Sequence, residues 1–219
     1  MNEIIQTIAV YALPVVFAIT LHEAAHAYAA RFFGDNTAYS MGRMSLNPVR
    51  HIDPFGTILI PVLMYVATAG NFLFGYAKPV PVDWSRLRNP KRDMAWVALA
   101  GPGANFVMAF MWMVMGIFLS VSGITEPFLT GMVRAGILSN LVIFAFNLFP
   151  VPPLDGGRVL TSMLPNRLAY RFSQIEPYGF FIVLGLVFLN VLSFWMLPVM
   201  GAASAALSLI ISPLNLFLN

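Results

Sequence analysis

From Ile4 to Ala25 the chain is so predominantly apolar that water cannot be its main solvent. As a helix, a run of about 20 such residues matches the ~30 Å hydrocarbon core of a bilayer, where every backbone polar group must be paired within the segment. Three ionisable side chains nevertheless stand at the far end of this run, in Leu21-His22-Glu23-Ala24-Ala25-His26. A charge at the centre of a membrane helix costs roughly 2.5–3.5 kcal/mol on insertion scales, so residues of this kind mark a functional site. Positions i and i+4 share a helix face. His22 and His26 can therefore turn imidazole nitrogens toward one metal ion, with Glu23 beside them as a candidate general base.

The metal follows from what the chain contains and lacks. Its 219 residues include no cysteine, which excludes a disulfide framework and a thiolate site. Zinc accepts neutral imidazole and carboxylate in a tetrahedral site, and a catalytic site leaves one position for water. One Zn2+ per chain, held by His22, His26 and a third ligand from elsewhere, is the expected cofactor.

At 59% hydrophobic and 10% charged, the composition is far from the roughly 25% charged residues of soluble domains. The fold class is an all-α polytopic membrane protein. Its length accommodates about five or six spans of ~20 residues and no appended soluble domain, so residues 1–219 form a single integral-membrane domain whose function resides in the bilayer. The net charge of +3 comes from Lys and Arg gathered in a few loops, as the positive-inside bias expects. No basic stripe with interleaved aromatics points to nucleic acid. Residues 1–20 lack a basic leading region and run into the histidine motif, which reads as a retained helix rather than a cleaved signal.

Along the chain, residues 4–33 read as one helix with Pro14 as a kink, and Arg31, Arg43 and Arg50 mark its end as cytoplasmic. Residues 39–45 have the alternation of a strand. The run 55–76 is broken by Pro61, Gly70, Asn71 and Gly75 and flanked by basic residues on both sides, which favours a re-entrant hairpin over a single crossing. Residues 78–83, with Pro79 and Pro81, read as an edge strand or polyproline segment. Spans are expected at about 94–122 and 130–150, and residues 178–218 are long enough for two more spans with a break near Pro198. In the second span, Gly101, Gly103 and Ala104 suit close helix packing and Asn105 suits an interhelical hydrogen bond.

The third span ends in Asn147-Leu-Phe-Pro-Val-Pro-Pro-Leu-Asp155-Gly-Gly-Arg158, followed by Arg167 and Arg171. If both orientations hold, Asp155 reaches the depth of His22 and His26 and supplies the third ligand. The prolines stop the helix, which leaves Asp155 on irregular backbone, and Gly156 and Gly157 permit a tight turn. The alternative is that Asp155 caps a helix starting near Gly156.

Taken together, His22-Glu23-Ala24-Ala25-His26, Ala100-Gly101-Pro102 with Asn105, and Asn147-x-x-Pro150-x-Pro152-Pro153-Leu154-Asp155-Gly156 resemble the site-2 protease family of intramembrane zinc metalloproteases. The order and spacing match over about residues 15–165, and residues 178–219 carry no motif. The resemblance implies a three-helix catalytic core over about 4–165, C-terminal helices over about 178–218, and a small membrane-associated β or re-entrant segment. It implies zinc on His22, His26 and Asp155, Glu23 as catalytic base, and Asn147 near the scissile peptide. It places the chain in the compact subgroup without PDZ or CBS domains. Asn147 would donate to the oxyanion or hold substrate backbone, unless it makes only a helix–helix hydrogen bond.

The substrates implied are transmembrane proteins or peptides, cut within or near their membrane segments at the cytoplasmic side of the cell membrane. A substrate helix must unwind before attack, and its freed backbone could add to an edge strand at 39–45 or 78–83. His51, in the loop after Arg50, could approach the active site as an extra ligand or substrate contact, but a lone loop histidine is more often structural, and it stays outside the metal set. A metal transporter could use the same ligands, but it would place them near the midplane on related halves, and no internal repeat is evident.

Overall fold

The computed structural model describes residues 2–60, 63 and 77–218. Helix α1 spans Asn2–Phe32 and is continuous through Pro14. A short turn of helix, α2, covers Thr37–Ser40. A 3-10 turn (Pro48–His51) and a π-helical turn (Pro54–Leu59) follow. An extended segment, 77–83, leads through a 3-10 turn at Trp84–Arg86 into α3, Pro90–Val121. Then come α4 (Pro127–Asn147), α5 (Asp155–Met163), α6 (Asn166–Ser173), α7 (Gly179–Phe188) and α8 (Val191–Leu218).

Start signals are local. Pro90 and Pro127 open α3 and α4 at positions where a missing N–H costs nothing, and the Glu126 carboxylate accepts the Leu129 amide at 2.7 Å. Four described helices are long and apolar enough to cross a membrane: Ile5–Phe32, Pro90–Val121, Pro127–Asn147 and Val191–Pro213. At 1.5 Å per residue even the shortest, α4, reaches about 31 Å. Large apolar side chains such as Phe17, Val107, Phe118, Phe194 and Leu209 point outward and stay exposed, which suits helices whose surroundings are lipid rather than water.

Helices α1, α3 and α4 pack on one another, and α8 packs against α4 and α3. Ala109, Leu141, Ala203 and Leu207 join α3, α4 and α8 in one buried cluster, and the Trp195 indole donates to the Ala145 carbonyl at 2.9 Å. Where α1 ends and α3 begins, Ala30, Leu87 and Val97 form a second cluster.

Two expectations change. No strand is found among the described residues: 39–45 is a helical turn running into a hydrogen-bonded turn, while 77–83 is extended and unpaired in any ladder, which leaves the polyproline reading of that segment. Backbone donors of this second segment are taken by side chains and loops instead, as described below. The proposed re-entrant hairpin falls mostly on residues outside those described. The break in the C-terminal region lies at Leu189–Asn190, where Asn190 adopts a left-handed φ of 58°, and Pro198 sits inside α8. That leaves α7 with ten residues, about 15 Å of helix and too short to cross.

Candidate metal centre

His22 and His26 face inward from α1, one turn apart, and both are buried. Asp155, the first residue of α5, comes to the same place across 129 residues of chain (155 less 26). His26 Nε2 lies 3.1 Å from His22 Nε2, and Asp155 Oδ2 lies 3.3 Å from each. Among the described residues these three form the group with metal-ligand spacing.

Their hydrogen bonds test whether a cation fits. His26 Nδ1 donates to the Val97 carbonyl at 2.8 Å, an oxygen that can only accept. His22 Nδ1 donates to Asn105 Oδ1 at 2.6 Å, and Asn105 is oriented by giving its Nδ2 to the Ala18 carbonyl at 3.1 Å. A neutral imidazole protonated on Nδ1 presents a bare lone pair on Nε2. Two such lone pairs and a carboxylate oxygen therefore converge with no proton between them, and Asp155 Oδ2 is buried without a hydrogen-bond partner. Three acceptors in one buried spot repel unless a cation joins them. Zinc–nitrogen bonds of ~2.0–2.1 Å in a tetrahedral site would put donor atoms about 3.3 Å apart, so the observed triangle fits zinc.

Backbone choices hold the triangle open. Gly101 of α3 packs directly on the two rings: a Cβ there would overlap His26 Nε2 and lie 2.7 Å from His22 Cε1. Sequence reasoning gave this glycine a general packing role. Its four-residue spacing to Asn105, parallel to that of His22 and His26, is the signal that could have placed both on the ligand face. Gly101→Ala should push His26 aside and lower zinc affinity by at least the ~10–100-fold seen when outer-shell partners are lost. Chelator competition on the purified variant measures this, and unchanged affinity would mean that the ring has room to move.

Gly156 and Gly157 are helical residues of α5 rather than a turn. A side chain on Gly156 would overlap the Leu148 carbonyl, and one on Gly157 would overlap Pro152. They let α5 press against the proline turn, which aims Asp155 at the histidines. The helix cap is Leu154, so Asp155 does not cap α5.

Glu23 accepts the Val80 amide at 2.7 Å through Oε2. With prolines at 79 and 81, Val80 carries the one N–H in that tripeptide, and it goes to Glu23. The segment itself is pinned by Lys78 N to the His51 carbonyl at 2.9 Å, by Arg43 Nη2 to the Lys78 and Pro79 carbonyls at 3.0 and 3.3 Å, and by Asp83 N to buried Asp35 at 2.8 Å. Asp35 and Arg43 were not legible as site residues, because nothing local pairs them with a segment some 40 residues on. His51 donates Nε2 to the Ser45 carbonyl at 2.8 Å and stays outside the metal group. The Asn147 amide donates to the Ile143 carbonyl of its own helix at 3.0 Å.

Residues 10–139 match Peptidase family M50, which is more than half of the chain. The chain belongs to peptidase family M50. Among its M50 relatives, the "Putative zinc metalloprotease YwhC" of Bacillus subtilis is 38% identical over 87% of this chain and 85% of its own length. The "Putative zinc metalloprotease Rip2" of Mycolicibacterium smegmatis is 29% identical over 82% of this chain and 67% of its own. No solved structure gives a significant match. Family membership and the donor set together make this chain an M50 zinc metalloprotease.

Proposed function

We propose that this M50 protease hydrolyses peptide bonds within or near the transmembrane segments of other proteins, at the cytoplasmic side of the cell membrane, and that residues 1–219 act as one protease domain. The observation that carries the reading is the location of the ligand triad. His22 and His26 lie on a helix long and apolar enough to cross a membrane, and Gly101 and Asn105, packed on them, lie on a second. A site built there serves substrates that reach it through the bilayer.

His22, His26 and Asp155 are the residues that would hold the zinc. When bound, zinc supplies a Lewis acid that acidifies water and polarises the peptide carbonyl. Glu23 takes the proton from the attacking water and returns it to the amine nitrogen as the peptide bond breaks. With Oε2 committed to Val80, this transfer falls to Oε1. Asn147 ends α4 just before the proline turn; a rotation that frees its amide from Ile143 would let it donate to substrate backbone. The bilayer and the substrate are the partners, with no nucleic acid involved.

Orientation follows from charge. Every Lys and Arg but Arg134 lies on the loops and helix ends at the ligand end of the bundle, or on the short helices beside it, which the positive-inside rule assigns to the cytoplasm. The test is a reconstituted proteoliposome holding the protease and a transmembrane reporter. Zinc-dependent cleavage inside or next to the reporter's apolar segment is expected, and cleavage of soluble peptides alone would overturn the reading. In cells, a cysteine at exposed Arg167 should react with impermeant thiol reagents only after the cytoplasmic face is opened; labelling from outside would reverse the topology.

A further inference from the structure

Asn140, in the middle of α4, is fully buried and touches neither ligand nor base. Its Nδ2 donates to the Gly136 carbonyl at 2.8 Å. A carbonyl can only accept, so the amide cannot be flipped, and Oδ1 must face α3. There it accepts from Asn105 Nδ2 at 2.9 Å. Asn105 Nδ2 thus has both protons placed, one on Asn140 and one on the Ala18 carbonyl of α1, which leaves its Oδ1 for His22 Nδ1.

The direction of every bond in this chain is therefore fixed from its two backbone ends. Read outward, Gly136 orients Asn140, Asn140 orients Asn105, and Asn105 holds the proton of His22 on Nδ1. The bare Nε2 that the metal requires is the last consequence. Helix packing makes the reach possible: a Cβ at Gly136 would overlap the Trp112 indole of α3, so α4 lies flat on α3 where Asn140 meets Asn105.

We propose that Asn140 is a positioning residue for the zinc site, holding the ring orientation of His22 through Asn105. Without its Oδ1, one proton of Asn105 is buried with no acceptor, and the amide is held from the Ala18 carbonyl alone. Held at one point only, Asn105 can tilt, its Oδ1 draws away from His22 Nδ1, now 2.6 Å off, and the ring loses the support that keeps Nε2 aimed at the metal position. The inference rests on His22 being a zinc ligand.

The test is zinc affinity of the purified full-length protein by chelator competition, alongside thermal unfolding of the metal-free form. Asn140→Leu, similar in size and unable to accept, should weaken zinc binding on the order of tenfold. Asn140→Asp, kept as the neutral acid by burial, can donate its O–H to Gly136 and keep an oxygen toward Asn105, and should stay near wild type. In an Asn105→Leu background, Asn140→Leu should cost no further affinity, because its route to His22 is already gone. Asn140→Ala makes the same comparison if the leucine variant does not fold. Unchanged affinity in a folded Asn140→Leu or Asn140→Ala protein, equal losses for Asp and Leu, or losses that add in the double variant would each overturn the proposal. A wild-type protein that binds no zinc would overturn the ligand assignment as well, which separates the two failures.

Discussion

Glu23→Gln should keep about one zinc per chain and lose cleavage by roughly 10²–10⁴-fold, the usual contribution of a positioned general base. Glutamine has the shape of glutamate, and its amide oxygen can still accept the Val80 N–H that Glu23 Oε2 accepts at 2.7 Å. The extended segment 77–83 therefore keeps its place, and His22, His26 and Asp155 are untouched. Only the capacity to take a proton is lost. Metal analysis and reporter cleavage on the same preparation separate the two properties. Normal turnover by the Gln variant would assign the base elsewhere, and loss of zinc together with activity would make Glu23 part of the metal site. Glu23→Ala is the poorer experiment, because it also strips the Val80 amide of its acceptor.

Asp155→Ala should have the larger effect on the metal. It leaves two protein ligands, and zinc affinity should fall by more than the ~10–100-fold that loss of an outer-shell partner brings, with cleavage falling alongside. Asp155→Asn is more revealing. An amide placed at the same point could donate Nδ2 protons to the bare Nε2 atoms that Asp155 Oδ2 approaches at 3.3 Å, which relieves the crowding of acceptors. The metal-free Asn protein should then unfold at a higher temperature than metal-free wild type while binding zinc more weakly. If Asp155 only began α5, Asn would serve about as well, and Ala would cost ~1 kcal/mol of stability with the metal retained. A fully metallated, active Asn variant would remove Asp155 from the site.

Much of this was legible in the residues, and the reason is periodicity. Long apolar runs define helices that satisfy their own backbone, so α1, α3 and α4 could be placed to within a few residues without knowing what they pack against. His22 and His26 share a face of one helix by spacing alone. Asp155 was within reach because charge in the loops orients each span, and orientation brings its turn to the histidines' end.

Other features belong to packing, which no local pattern encodes. The strand expected at 39–45 became a helical turn, and the segment at 77–83 stayed extended without a ladder, its groups taken by Asp35, Arg43, His51 and Glu23. Alternation and proline content show that such a segment is extended; they cannot show which side chains will meet it. In the same way, glycine at 101, 136, 156 or 157 reads as small and permissive, and the partner it must admit is visible only once the helices are side by side. The sequence by itself determined the long apolar helices and the chemical types at the metal. The tertiary structure decided which lone pairs face inward, since that depends on carbonyls and amides of Ala18, Val97, Asn105 and Asn140, drawn from three helices that meet only in the fold.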